Sequence, residues 1–194
     1  MRGRGPGWTR RLAIAGLFGL VAVATGSASA VAQTGGAAAP GAPTTTTPTG
    51  IPGVATLAAD GTAIPPSDAP RPVRKAINAG NRIHTLPYLW GGGHNRKFRS
   101  AGYDCSGAVS YVLHAAGMLK RPLASGGLAR SWGATGIGQW ITVYANKSHA
   151  YAVVAGLRWD TSAVGEALNQ GSGPRWRATP RDPAGYTARY FPGY

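Results

Sequence analysis

The 194-residue sequence is poor in cysteine and in acidic side chains. Its one cysteine, Cys105, excludes any disulfide within the chain. Only 6 acidic residues stand against 20 lysines and arginines, which gives a net charge of +14 at pH 7. The basic residues are scattered, with no stacking motif between them, so we expect no nucleic-acid partner. Anionic cell-wall polymers or a membrane surface are the partners that this charge favours, and solvated charge with no specific partner is the alternative.

Long hydrophobic runs are also missing. The longest apolar run, residues 12–25, is too short for a comfortable transmembrane span. It follows four arginines and precedes small residues that form acceptable cleavage sites at 28–30 and 30–32. This pattern is typical of a secretory signal peptide, which we place at residues 1–32, and an uncleaved anchor is the alternative. We therefore expect an exported protein, in which a lone thiol is either paired with another molecule or reactive.

Large apolar side chains are scarce between residues 33 and 70. Alanine, glycine, proline and threonine dominate this segment, which includes four consecutive threonines at 44–47. Such a composition cannot bury enough surface to offset the entropy of ordering the chain. We predict a disordered linker over 33–70, followed by one globular domain over 71–194 that is long enough to enclose a core. The sequence contains no internal repeat.

Within the domain, the spacing of apolar residues predicts an α+β fold. Asp104 is a suitable N-cap and Gly117 a suitable end for the helix that begins at the cysteine. Turns at 146–147 and 155–156 favour an antiparallel meander of three strands. We also expect a helical turn at 163–168 and an extended tail over 171–194. The predicted helices cover 73–83, 105–117 and 128–132, and the predicted strands cover 139–144, 149–154 and 157–161.

Cys105 is the candidate nucleophile. It lies in the first turn of a predicted helix, where unpaired backbone N–H groups and the helix dipole favour a thiolate. His114 lies too far along the same helix to act as its base. His84 and His94 flank a loop rather than a rigid element, whereas His149 opens a predicted strand, which holds a base more firmly. The alternative is that the cysteine is a small buried residue with no chemistry.

Asp160 is the candidate third member of the site. If residues 155–156 form a two-residue turn, Asp160 faces Tyr151 and is the diagonal neighbour of His149, roughly 7–8 Å away by backbone. A carboxylate there would fix the tautomer of the imidazole and complete a Cys-His-Asp triad. A slip of one residue would turn the carboxylate to the other face. The alternative is that Asp160 caps the strand end or pairs with Arg158.

Two motifs resemble those of the NlpC-type cysteine peptidases, papain-like enzymes that cut the peptide stems of peptidoglycan. They are Pro-Tyr-x-Trp-Gly-Gly at 87–92 and Tyr-Asp-Cys-Ser-Gly at 103–107, and the strand-leading His149 follows them. The similarity covers residues 73–161. It implies a papain-like α+β domain in which the cysteine-bearing helix packs on an antiparallel sheet.

The resemblance also implies roles for individual residues. Cys105 would be the nucleophile and His149 the base, and Tyr88 would lie near the oxyanion. The third polar residue varies within the family, so Asp160 is acceptable there. We add Ser106, next to the nucleophile, as a second candidate for contact with the oxyanion or substrate. No metal site and no cofactor are expected.

The expected protein is therefore a secreted peptidoglycan endopeptidase, monomeric, located in the cell wall or the periplasmic space. The family pattern is altered at 138–141 and after His149, which leaves the substrate preference open. One alternative is an amidase or transferase on the same scaffold. Another is a non-catalytic wall-binding module in which Trp90, Trp132 and Trp140 stack on sugars, although tryptophans more often belong to cores.

Overall fold

A computed structural model of the chain describes residues 53–165 and 172–194, all of which belong to one compact unit. The predicted signal peptide (1–32) lies outside the described residues, as do the first part of the predicted linker (33–52) and residues 166–168 of the predicted helical turn.

The described part contains three helices and eight strands. None of these helices is both long and apolar enough to cross a membrane. The helices are α1 (Arg71–Ile83), α2 (Cys105–Ala115) and α3 (Ser125–Ser131). The strands are β1 (Thr56–Leu57), β2 (Ala63–Ile64), β3 (Ala134–Thr135), β4 (Ile141–Ala145), β5 (Ala150–Val154), β6 (Leu157–Asp160), β7 (Arg175–Arg177) and β8 (Thr187–Tyr190).

The main sheet is antiparallel and has the strand order β3-β8-β4-β5-β6-β7. Its centre is the predicted meander β4-β5-β6. Val154 pairs with Leu157, so the turn between β5 and β6 has two residues, as predicted. Ala155 and Gly156 have φ values of 46° and 81°, and this left-handed pair matches the twist of the two strands.

The cysteine helix α2 packs against one face of this sheet. Ala152 and Val154 of β5 and Trp159 of β6 point to that face and are fully buried. The Trp159 indole Nε1–H donates a hydrogen bond to the backbone oxygen of Ala108 in α2 at 3.0 Å. The predicted α+β fold, with a cysteine-bearing helix on an antiparallel sheet, is therefore confirmed.

Helix α1 packs against α2 and against the far end of the sheet. Its buried side includes Val73 and Ile77, as the apolar spacing predicted. Gly80 lies on the same side, where an added Cβ would come within 2.4 Å of the Trp176 ring on β7. A glycine is required there because the indole of the edge strand rests directly on the helix backbone.

The prediction of a disordered linker was wrong for residues 53–70. The strands β1 and β2 form a hairpin there, and Ala55 donates its N–H to the backbone oxygen of Ala155 at 2.8 Å. The side chain of Asn81 in α1 bonds both the N–H and the oxygen of Ala63 at 2.9 Å. The small side chains of Ala55 and Ala63 are buried, although the segment has few large apolar residues. The Asn81 amide supplies the hydrogen bonds that the backbone of Ala63 needs.

The tail forms part of the sheet. Strand β7 pairs with β6, whereas β8 lies between β3 and β4, several strands away. The connecting segment, residues 178–186, is called the strap below. It reaches the face of the sheet opposite α2, where Arg181 and Tyr186 contact the ring of Tyr151. The predicted extended tail is therefore two sheet strands joined by a crossing segment.

Candidate active site

Cys105 is the first residue of α2 and is 8% exposed. Asp104 caps the helix, as predicted: its Oδ1 accepts the Gly107 N–H at 2.7 Å. An N-terminal position of this kind surrounds the sulfur with backbone N–H groups and with the positive end of the helix dipole.

The loop that carries Tyr88 is held against the start of α2. The backbone of Tyr103 bonds to this loop twice: its oxygen accepts from Leu89 N–H at 3.2 Å, and its N–H donates to the Pro87 oxygen at 3.1 Å. Burial raises the pKa of Tyr88, and the charges of Cys105 and Asp104 raise it further. The Tyr88 hydroxyl therefore lies within electrostatic range of the thiol.

Close backbone contacts at Gly92 and Gly107 fix the position of the loop that carries Tyr88. A Cβ on Gly107 would lie 1.9 Å from the backbone oxygen of Gly92, and a Cβ on Gly92 would lie 2.2 Å from the oxygen of Gly102. Only glycine at these positions allows the loop to approach the first turn of α2 so closely.

His149 directly precedes β5, and its backbone is fixed by Asn146. The Asn146 Oδ1 accepts the N–H groups of Ser148 and His149, both at 2.9 Å. The Asn146 amide also donates to the backbone oxygen of Gly185 in the strap at 3.2 Å. The side chain of Asn146 thus connects the turn before His149 to the strap.

The imidazole of His149 binds a buried carboxylate. Its Nε2 lies 2.9 Å from Asp160 Oδ1, and the Asp160 side chain is fully buried. The other carboxylate oxygen, Oδ2, accepts from Arg181 at 3.0 Å and lies 3.7 Å from Arg158 Nε. One carboxylate thus contacts the imidazole and two arginines at once, and its role as the third member of the site stays a prediction.

The His149 imidazole also interacts with Cys105, which favours its protonated form. Because Nε2 is bound to Asp160, Nδ1 is the ring nitrogen that remains available to the thiol. Burial opposes protonation of His149, but the hydrogen bonds from Asp160 and Cys105 outweigh it and raise its pKa to about 9. Burial likewise opposes ionisation of Asp160, yet His149 holds the pKa of this carboxyl below its usual range.

The structure thus brings together Cys105, His149 and Asp160. Tyr88 lies at the edge of this group and is 40% exposed. The Ser106 hydroxyl is bound within the helix cap, 3.2 Å from Asp104 Oδ1, so its contact with an oxyanion or substrate stays a prediction.

Several residues near the site were not singled out from the sequence. His94 was considered only as a base, yet its Nε2 lies 3.0 Å from Asp104. The Arg181 guanidinium lies over the rings of both Tyr151 and Tyr186, 5.5 and 5.4 Å from their centroids, while it also bonds Asp160. The richness of the tail in arginine and aromatic residues was the only signal for this arrangement, and it carried no information on distance.

The three tryptophans considered as a platform for sugar binding differ in how deeply they are buried. Trp132 is 4% exposed and Trp140 is 8% exposed, and both belong to the core. Trp90 is 86% exposed. A platform of all three tryptophans is therefore wrong, because two of the rings are enclosed by protein.

The fold and the site together define an α+β domain with a free thiol at the start of a helix and an imidazole bound to a buried carboxylate, groups of the kind that cysteine-nucleophile enzymes use. No group of three or more histidine, cysteine, aspartate or glutamate side chains able to hold a metal ion occurs in residues 53–165 and 172–194.

Among solved structures, the chain is similar to Rv1477, a hypothetical invasion protein of Mycobacterium tuberculosis. That match has 24% identity and a TM-score of 0.42, and it covers 75% of this chain and 74% of the other. The resuscitation promoting factor interacting protein RipA matches over the same shares, with a TM-score of 0.42 and identities of 24% and 22% for variants altered at a glutamate and at a cysteine. No family model and no curated protein matches the sequence.

Proposed function

We propose that the protein is a secreted cysteine endopeptidase that hydrolyses peptide bonds in the stem peptides of peptidoglycan. The observation that carries this proposal is the 2.9 Å contact between His149 and the buried Asp160, together with the interaction of His149 with the Cys105 thiol at the start of α2. The substrate class rests on the resemblance of the motifs at 87–92 and 103–107 to the NlpC-type peptidases.

In the proposed mechanism, His149 takes the proton of Cys105 and becomes an imidazolium beside a thiolate. The thiolate attacks the carbonyl carbon of the scissile peptide bond, and the carbonyl electrons move to the oxygen. We assign stabilisation of this oxyanion to the Tyr88 hydroxyl and to the backbone N–H groups at the start of α2. When the tetrahedral intermediate collapses, the C–N bond breaks and His149 gives its proton to the leaving amine.

Water then completes the cycle. His149, now neutral, removes a proton from a water molecule that attacks the thioester carbonyl of the acyl-enzyme. The C–S bond breaks, the carboxylate product leaves, and the proton returns to the sulfur. Asp160 acts throughout by holding Nε2, so that Nδ1 faces the sulfur, and by stabilising the imidazolium in both halves of the reaction.

We infer the location and the partners of the protein from its net charge and from the signal-peptide pattern of residues 1–32. The pattern at residues 1–32 supports export. Without the four arginines of residues 1–32 the net charge is +10, which favours association with the anionic polymers of a cell wall and would keep the enzyme near its substrate. We propose that the protein acts as a monomer in the cell wall or the periplasmic space.

Mass analysis of muropeptides after incubation of isolated peptidoglycan with the purified protein tests this proposal. We expect fragments cut within the stem peptide. Release of whole stems from the sugar chain would instead indicate an amidase, and newly joined stems would indicate a transferase.

Two matched variants assign the chemistry. Cys105→Ala and His149→Ala are each expected to lose hydrolysis, the second by a factor of about 10² to 10⁴, with melting temperatures near that of the wild type. Full activity in either variant would contradict the proposed roles, and unchanged muropeptides with the wild-type protein would contradict the proposed function.

A further inference from the structure

A second histidine–carboxylate pair lies beside the nucleophile and takes no part in the mechanism above. His94 Nε2 is 3.0 Å from Asp104 Oδ1, and the two side chains are 26% and 12% exposed. Asp104 directly precedes Cys105 and caps the helix that carries it. The pair therefore connects the loop of residues 91–94 to the first turn of α2.

The Asp104 carboxylate is surrounded by donors. Its Oδ1 accepts from Gly107 N–H at 2.7 Å and from the Ser106 hydroxyl at 3.2 Å, and its Oδ2 accepts from Gly91 N–H at 3.1 Å. Burial opposes its ionisation, but the hydrogen bonds from His94 and Gly107 outweigh that cost and hold the pKa of Asp104 below its usual range. Asp104 is therefore a fixed negative charge adjacent to the nucleophile.

Such a charge disfavours a thiolate at Cys105, because like charges in close proximity oppose each other. His94 is the one cationic group in direct contact with Asp104 among the described residues. The hydrogen bond to Asp104 raises the pKa of His94, so the imidazolium persists to higher pH than in a free histidine. The titratable groups around the pair are Asp104 itself, Cys105 and, across the loop, Tyr88.

We propose that His94 is a positioning residue for the nucleophile: its imidazolium balances the charge of Asp104 and holds the loop of residues 91–94 on the start of α2, so that the helix cap does not oppose ionisation of Cys105. This inference rests on the proposed role of Cys105 as the nucleophile. It assigns the two histidines of the site different tasks. His149 exchanges the proton, whereas His94 keeps its proton and offsets a fixed charge.

Alkylation of Cys105 by iodoacetamide between pH 6 and 8 measures this effect directly in the full chain. His94→Gln keeps an N–H donor for Asp104 but removes the positive charge. We expect its alkylation rate at pH 6.5 to be roughly three- to tenfold lower than that of the wild type. The difference should close as the pH rises through the titration of His94, because the wild-type imidazole then becomes neutral as well.

Three further variants separate a charge effect from a structural one. His94→Lys restores a cation and should recover the wild-type rate to within about twofold. In an Asp104→Asn background, the change His94→Gln should have no effect at pH 7.5, because His94 then lacks the partner that keeps it protonated. His114→Gln is the matched control. His114 lies in α2, as Cys105 does, but it is near the other end of that helix and bonds the Leu119 oxygen. This variant should therefore be alkylated at the wild-type rate.

Equal alkylation of the wild type and His94→Gln across this pH range would overturn the inference, as would failure of His94→Lys to recover the rate. Because alkylation needs no peptide substrate, the result is independent of whether peptidoglycan is hydrolysed. Loss of the proposed function and loss of this inference can therefore be told apart.

Discussion

Replacing Asp160 with asparagine would remove a buried charge from the centre of the site while keeping the shape of the side chain. The amide oxygen can still accept the hydrogen bond that His149 Nε2 now makes at 2.9 Å. The imidazolium would lose its counter-charge, and Arg181 and Arg158 would face a neutral group. The variant therefore separates the orientation of the ring from the stabilisation of its charge.

The size of the effect follows from the pKa of His149, which lies at about 9 instead of 6.5. A difference of about 2.5 pH units corresponds to about 3 kcal/mol in favour of the imidazolium. Cys105 supplies part of this preference, and solvent screens part of it because the His149 side chain is 18% exposed. We therefore assign about 2 kcal/mol to Asp160, which predicts a turnover roughly 30-fold lower in Asp160→Asn.

The assay is the pH dependence of kcat/KM on a soluble stem peptide. His149 is protonated below its pKa, so a lower pKa means that the imidazolium is lost at lower pH. The basic limb of the profile should therefore move to lower pH by between one and two pH units in Asp160→Asn. Equal turnover together with an unmoved basic limb would refute this reasoning, and the ring would then be held by some other group.

Arg181→Gln is the matched control. It removes the arginine that bonds Asp160 Oδ2 at 3.0 Å and leaves the carboxylate in place. Asp160 is then less compensated, although Arg158 remains beside it, so the basic limb should stay or move to higher pH, opposite to Asp160→Asn. Asp160→Asn removes the counter-charge of the two arginines, and Arg181→Gln removes one partner of the Asp160 carboxylate. Both variants should lower the stability by a few kcal/mol, so the assays should be run below their melting temperatures.

Two other variants test the loop above the nucleophile. Gly107→Ala would place a Cβ 1.9 Å from the Gly92 oxygen, so we expect urea unfolding to show a loss of roughly 1–3 kcal/mol, and a wild-type midpoint would contradict the close packing. Tyr88→Phe removes only a hydroxyl, and we expect turnover to fall roughly 10- to 100-fold while alkylation of Cys105 keeps its wild-type rate; unchanged turnover would exclude the contact with the oxyanion.

The pairing of His149 with Asp160 could be predicted because short antiparallel strands leave little freedom. A two-residue turn fixes the register, and the period of two then places both side chains on one face. The helix cap at Asp104 could be predicted for a similar reason, since an N-cap depends only on residues within one turn. Both predictions relied on contacts between residues close in sequence.

The features that were missed depend on residues far apart in sequence. The hairpin at 53–64 is built from small residues whose burial depends on Asn81 and Ala155, and nothing local indicates either contact. The bond between Arg181 and Asp160 requires a crossing of the sheet that local patterns cannot specify. The partner of His94 depends on the close approach of two glycines, which is visible only once the loop is in place.

Strand β8 has a consequence for the order in which the sheet can assemble. It is later in the chain than β3 and β4, yet it lies between them. Until residues 187–190 are in place, one edge of the largely buried strand β4 is unpaired and is prone to pair with other chains. Gly185 lies two residues before β8, so the bond from Asn146 to the Gly185 oxygen belongs to the same end of the sheet. Pairing of β8 therefore both covers the edge of β4 and supports the turn that precedes His149.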